Sequence, residues 1–263
     1  MVWLTSRPVW VLVVGCLAIG MAVAVGSRYL ALRFIPASDR EESHSNAAAL
    51  MTAFAAAFVL LTALTLANEA TSLSSAQNIV STEVADASSL AWASTNPGVA
   101  TAPMQVALQR YLEATRTDEW HGSAAGNGND PETDNALATL ERVVRSQAGR
   151  PSAGIPTSTE LLTNLDDMTT QRRQRLAAAS RTPPDFYAVL VVVTGLALSV
   201  NTSVVGTRAG RHAALVTMSL TVVIALSVAL LFALATPWQG AIGVSGHPID
   251  SVIVDLRTGY FRS

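Results

Sequence analysis

Residues able to do chemistry are few in this chain of 263, and they fall into three groups. Phe54, Phe58, Thr62 and Thr65 follow one another at intervals of four, four and three, so they share one face of a helix. Apolar rings and weakly polar hydroxyls of this kind can border an anion path that gates by dewetting. The commoner use of such rings is to fill a seam between helices or to face lipid. Arg172, Arg173 and Arg175 gather cationic charge, with Glu69 and His212 as further candidates for the mouth of such a path. An arginine cluster concentrates anions, although a run like this is more often a solvated helix end or a lipid-headgroup contact. Asn201 and Thr202 lie in the middle of an apolar stretch. They read either as a substrate contact or, more commonly, as an interhelical hydrogen bond. Asn201-Thr202-Ser203 also matches a glycosylation sequon, which a membrane-buried position would keep out of reach.

Other chemistries fail on residue type or spacing. His44, His121, His212 and His247 are scattered, and the oxygen-rich run Asn127–Asp134 lacks the bidentate glutamate of a calcium loop, so no metal site is expected. Cys16 is the one cysteine, which excludes an internal disulfide and a cysteine metal cluster. All seventeen basic residues are arginine, so Schiff-base and P-loop lysines are absent. No Gly-x-Ser-x-Gly occurs, and Gly243-Val244-Ser245-Gly246 comes only superficially close. Neither a catalytic residue nor a cofactor is expected. A net charge of −2 offers no basic field for nucleic acid.

The elements that must position these groups are four long stretches without Asp, Glu, Lys, Arg or His: Pro8–Ser27, Ser45–Asn68, Phe186–Thr207 and Ala213–Ala235. A spanning helix needs about 20 largely apolar residues to cross roughly 30 Å of hydrocarbon. Only 14% of residues are charged, against about 25% in soluble domains. The chain is therefore expected to be an all-α polytopic membrane protein in contact with a lipid bilayer. Its divisions are a first transmembrane pair (1–67), a helical extramembrane domain (68–185), a second transmembrane pair (186–235) and a C-terminal tail (236–263). Val13-Val14-Gly15-Cys16 resembles a lipoprotein cleavage box, but the apolar run continues through Leu17–Val25 and reads as an uncleaved span. The alanines of the second span (Ala47–Ala49, Ala53, Ala55–Ala57, Ala63) suit close packing against other helices.

No turn signal follows the second span, and Leu73, Ala76, Val80, Val84, Ala87 and Leu90 extend helical spacing until Asn96-Pro97-Gly98. Further helices are expected around Met104, Leu108, Tyr111 and Leu112, around Leu137, Leu140, Val143 and Val144, and around Leu161, Leu165 and Met168. Thr157 with Glu160 fits a capping box for the last. Gly122–Asn135 reads as a mobile loop, and Pro183-Pro184 as a helix stop. Arginines in the short loops lean slightly toward the domain lying outside, while Arg7 and the Arg172–Arg181 cluster argue the other way. No ionisable group lies inside any span, which counts against proton-driven carriers and leaves a passive channel open.

The chain resembles the bestrophin-like bacterial membrane protein family. The likeness runs through Glu83 and Leu90, Tyr111, Glu119-Trp120, Arg173-x-Arg175-Leu176, Gly206 and His212, Pro237-Trp238-x-Gly240, and Val244-Ser245-x-x-Pro248. The family usually has an aromatic–basic pair after the Glu83 helix and Arg-Pro-Phe after the fourth span; here Ala91-Trp92 and Thr236-Pro237-Trp238 stand instead. The resemblance implies a four-span subunit of a bacterial plasma membrane that assembles as a homo-oligomeric ring around an anion path. Phe54 and Phe58 are then the positions similar to the apolar rings of the bestrophin neck. The alternative is a non-conducting scaffold or accessory subunit whose helical domain binds a protein partner.

Overall fold

The structure, a computed structural model, describes residues 9–34, 36, 40–120, 130–180, 185–205, 211–235, 238 and 242–262. Pro183-Pro184, Gly206, His121, Pro237, Gly240 and the Gly122–Asn129 part of the expected loop lie outside the described residues, as does the His212 side chain. The described chain is all-helical: α1 (Val9–Phe34), α2 (Arg40–Ala93), α3 (Thr101–Asp118), α4 (Pro131–Ala148), α5 (Gly154–Ala179), α6 (Asp185–Val205), α7 (Arg211–Leu234) and α8 (His247–Thr258). Four of these, α1, α2, α6 and α7, are long and apolar enough to cross a membrane.

Two compact units divide the chain within α2, between Thr71 and Ser72. The membrane unit combines α1, the first part of α2, α6 and α7. Its outer surface shows Ile19, Val25, Leu64, Val193, Leu215 and Val216, as contact with lipid tails requires. Trp10 and Tyr29, both exposed on α1, are nineteen residues apart. At 1.5 Å rise per residue that places these interfacial aromatics about 28 Å apart, close to the hydrocarbon thickness. Small residues let the helices close up. Gly20 lies against Thr221 and Ala225, and a Cβ on Gly195 would stand 3.0 Å from Ile224 and 3.1 Å from the Phe58 ring. Asn201 Nδ2 donates to the Ala47 carbonyl at 2.7 Å, and Ser203 Oγ to the Ala24 carbonyl at 3.3 Å, which ties α6 to α2 and α1.

The extramembrane unit takes α2 from Ser72, α3, α4, α5 and, from the tail, α8. The expected stripes are its core: Met104, Leu108, Tyr111 and Leu112 on α3, Leu140 and Val144 on α4, Leu161, Leu165 and Met168 on α5. To these α8 adds Ile249, Val252, Ile253 and Leu256, so the tail helix is part of this core.

Two local expectations are corrected. Pro131–Asn135 is helix, not loop, because Asp130 caps α4: its Oδ2 accepts from the Thr133 N–H at 2.9 Å, with Pro131 at the first helical position. α5 begins at Gly154, ahead of Thr157, after the 3-10 turn Pro151–Ala153. Thr157 is therefore inside the helix, and Glu160 accepts from Asn96 Nδ2 at 2.8 Å instead of closing a box. Gly98, at φ +85°, rests on that turn, where a Cβ would lie 2.0 Å from the Ser152 carbonyl oxygen. Only glycine fits there.

Candidate functional site

Five charged residues of the extramembrane unit, Glu83, Glu119, Asp134, Arg172 and Arg175, converge on one network that is largely buried. Tyr111 and Thr115 on α3 and Glu119 at its C-cap recur every four residues, so the three share a single buried face. From α2 comes Glu83, 1% exposed, and from α5 come Arg172 and Arg175, the latter 0% exposed. Arg175 Nε donates to Glu83 Oε2 at 2.8 Å, and its Nη2 donates to Glu119 Oε2 at 2.9 Å. The Tyr111 hydroxyl donates to Glu83 Oε1 at 3.1 Å. Arg172 donates to both oxygens of Glu119 and, at 2.7 Å, to Asp134 Oδ1. The Arg175 guanidinium stands 5.7 Å from the Trp120 ring, which meets Trp238 edge-on at 5.8 Å. Among the described residues Arg175 Nη1 finds no acceptor.

Glu83, Glu119, Arg172 and Arg175 cancel in charge, and their mutual hydrogen bonds offset a desolvation cost of several kcal/mol per ion. Burial, then the neighbouring Glu83, pushes the Tyr111 phenol far above its ordinary value, so it stays a donor. Burial works against the charge of Arg175, but Glu83, Tyr111 and Glu119 outweigh it and hold its pKa above the ordinary value. Burial likewise opposes Arg172, and its bonds to Glu119 and Asp134 outweigh that. These groups are fixed donors, closed by one another. The expectation of three arginines charging a mouth is thus corrected: Arg172 and Arg175 are consumed inside the fold, and only Arg173 is exposed. The reason is the period of α5, which turns positions 172 and 175 inward together and 173 outward.

Asp86, one turn beyond Glu83, is a liability of the network. Among the described residues its Oδ2 is buried without a partner, and burial, Asp167 and Glu83 raise its pKa. A carboxyl whose pKa is raised on folding costs stability once ionised, so the cost appears as pH rises through the folded pKa and vanishes below the unfolded one. Asp86→Asn is therefore expected to raise the melting temperature at pH 7 and to leave it unchanged near pH 3. Thermal unfolding in detergent across that range reads this directly.

The α2 candidates do not face open space. Phe58 is 5% exposed and packs with Val191, Leu198, Ile224 and Leu231, with Phe54 half-buried beside it. Thr62, Thr65 and Glu69 continue the same buried face, and Thr65 Oγ1 donates to the Leu61 carbonyl at 2.7 Å. In the single chain this face is a helix seam, because Gly195 makes room for the Phe58 ring. Ala47 is buried, but Ala48, Ala49, Ala53, Ala56 and Ala63 point outward. Asn201 makes the interhelical bond described above, and Thr202 bonds back to the Leu198 carbonyl at 2.7 Å.

The residues singled out by resemblance fare differently. Glu83, Tyr111, Glu119, Trp120 and Arg175 meet in the network. Ser245 lies apart, exposed at the start of α8, where its Oγ accepts from the His247 N–H at 3.2 Å. Sequence reasoning missed Thr115 and Asp134; the four-residue interval from Tyr111 through Thr115 to Glu119 was the available signal for the first. Among the described residues no group of His, Cys, Asp and Glu is placed to hold a metal.

Four candidate spans joined to a helical domain locked by buried ion pairs define a multi-pass membrane protein of a particular build. The model of the Bestrophin-like domain matches residues 18–249, and the chain belongs to that family. No curated protein and no solved structure matches it.

Proposed function

We propose that the protein is a non-enzymatic subunit of a homo-oligomeric, passive anion channel of the bacterial plasma membrane, with its path lined by the outward side of α2. One observation carries this reading: α2 buries Phe58, Glu69 and Glu83, and the sector opposite them is mostly small and uncharged, flanked in the membrane unit by exposed Leu50, Val59 and Leu64. In the membrane unit the sector opposite Phe58 holds Ala49, Ala53, Ala56, Ala63 and Ala67 with Leu60 among them. In the extramembrane unit the outward positions are Ser74, Gln77, Asn78, Ser81 and Ala85, while Glu83 is buried. A helix bathed in water normally displays charge, and one bathed in lipid gains nothing from alanine. A small, neutral face suits the close approach of helices from other copies, and its hydroxyls and amides suit passage of a hydrated anion.

Leu60 is the one bulky residue of the membrane sector, and a ring of them would form the apolar constriction. In liposomes holding the purified protein, chloride flux is expected, and Leu60→Ala should raise it several-fold while Ala63→Trp abolishes it. No flux from a folded oligomer would remove the reading.

The second reading is a scaffold that binds a protein partner through the extramembrane unit. It is favoured by the exposed pair Trp92 (43%) and Tyr260 (60%), which meet edge-on at 5.7 Å. Exposed aromatics are frequent anchors in protein interfaces.

A further inference from the structure

We propose that Glu83 is a positioning residue that sets the rotational register of α2 within the extramembrane unit, and so decides which side chains that helix shows outward. The apolar pattern alone specifies this register weakly. Inward stand the apolar residues Ala76, Val80, Ala87, Leu90, Ala91 and Ala93; outward stand Ser74, Gln77, Asn78, Ser81 and Ala85. Alanine and serine differ little in size, and four of the six inward apolar residues are alanine, so turning the helix by one position sacrifices few contacts. Val84, only half-buried, would replace part of what is lost.

The ionic contacts are not so forgiving. Glu83 accepts from Arg175 Nε at 2.8 Å, from Arg175 Nη2 at 3.4 Å and from the Tyr111 hydroxyl at 3.1 Å. These donors come from α5 and α3, so Glu83 is keyed to two helices at once. A turn of α2 by one residue would take Glu83 from a fully buried guanidinium and leave it Glu119 alone, with Nη1 already lacking an acceptor among the described residues. Fixing the register of weakly patterned helices is the best-attested use of a buried polar group. The network is thereby more than an internal brace, since it orients the face on which the proposed path depends. That consequence rests on the channel reading; the register itself does not.

The test uses the full chain in membranes with Cys16→Ala and one new cysteine at a time. Ser74→Cys and Ser81→Cys report the outward side, Val80→Cys and Ala87→Cys the inward side. Maleimide labelling is expected to be at least tenfold faster outside than inside. Adding Glu83→Gln, which keeps size and removes charge, should reduce that contrast to about twofold or less. Glu83→Asp should keep part of it. Leu140→Ala, which weakens the core away from α2, should leave it intact. Full contrast in Glu83→Gln, or equal flattening by Leu140→Ala, would overturn the proposal. If Glu83→Gln does not reach the membrane, Tyr111→Phe, which removes one hydrogen bond and no charge, takes its place. Partial flattening then supports the proposal and full contrast overturns it. Contrast in a chain that shows no flux would defeat the channel reading alone.

Discussion

Arg175→Met is expected to lower the unfolding free energy of the extramembrane unit by about 3–5 kcal/mol, the usual cost of removing one partner from a buried ion pair. Arg175 is 0% exposed and bonded to Glu83 and Glu119. Methionine fills much of its volume but leaves Glu83 with only the Tyr111 hydroxyl, and leaves Glu119 to Arg172. The loss comes from the stranded Glu83 carboxylate and not from a hole. Arg175→Met combined with Glu83→Leu should therefore be markedly more stable than Arg175→Met alone, since replacing a whole buried pair with apolar residues is often close to neutral. Exposed Arg173→Met, two residues away, should change stability by less than about 0.5 kcal/mol. Chemical unfolding in detergent followed by circular dichroism measures all three. A cost for Arg175→Met no larger than for Arg173→Met would contradict the network as described.

Phe58→Ala is expected to cost about 3 kcal/mol, because it empties the seam where Phe58 meets Val191, Leu198, Ile224 and Leu231. Chloride flux per folded oligomer should be unchanged, in contrast to Leu60→Ala. The seam also predicts a rescue. A Cβ at Gly195 would already stand 3.1 Å from the Phe58 ring, so Gly195→Leu alone should overpack the seam by about 1–3 kcal/mol. In the Phe58→Ala chain the added leucine falls into the vacated space, and the double variant should be more stable than either single one. Thermal unfolding of the four proteins in the same detergent decides this. Additive losses would mean that the two residues do not share a seam. A selective change of flux in Phe58→Ala would restore that ring to the path.

Much of this architecture is legible in the residues. The four spans follow from the absence of ionised groups, and the continuation of α2 to Ala93 follows from the lack of Gly and Pro. The core stripes of α3 and α5 follow from helical period. What could not be read is direction and partnership. The spacing of Phe54, Phe58, Thr62 and Thr65 defines a face, but both faces of that span are uncharged, so nothing local says which one turns inward. Arg172 and Arg175 look like a solvated cluster because their partners are remote: Glu119 lies 53 and 56 positions away and Glu83 lies 92 from Arg175. The resemblance had marked Glu83, Tyr111, Glu119, Trp120 and Arg175 singly; only the fold brings them into one cluster. Thr157 and Glu160 satisfied a capping pattern that Pro151 and Gly154 pre-empted by starting the helix earlier.

The most direct measurement is cross-linking of single cysteines by a short bismaleimide in native membranes, in the Cys16→Ala chain. Ala56→Cys and Ser74→Cys are expected to give ladders at multiples of the 27.5 kDa chain, while Ala87→Cys stays a single band. A single band at 27.5 kDa from both outward positions would show that the outward side of α2 is not where copies meet.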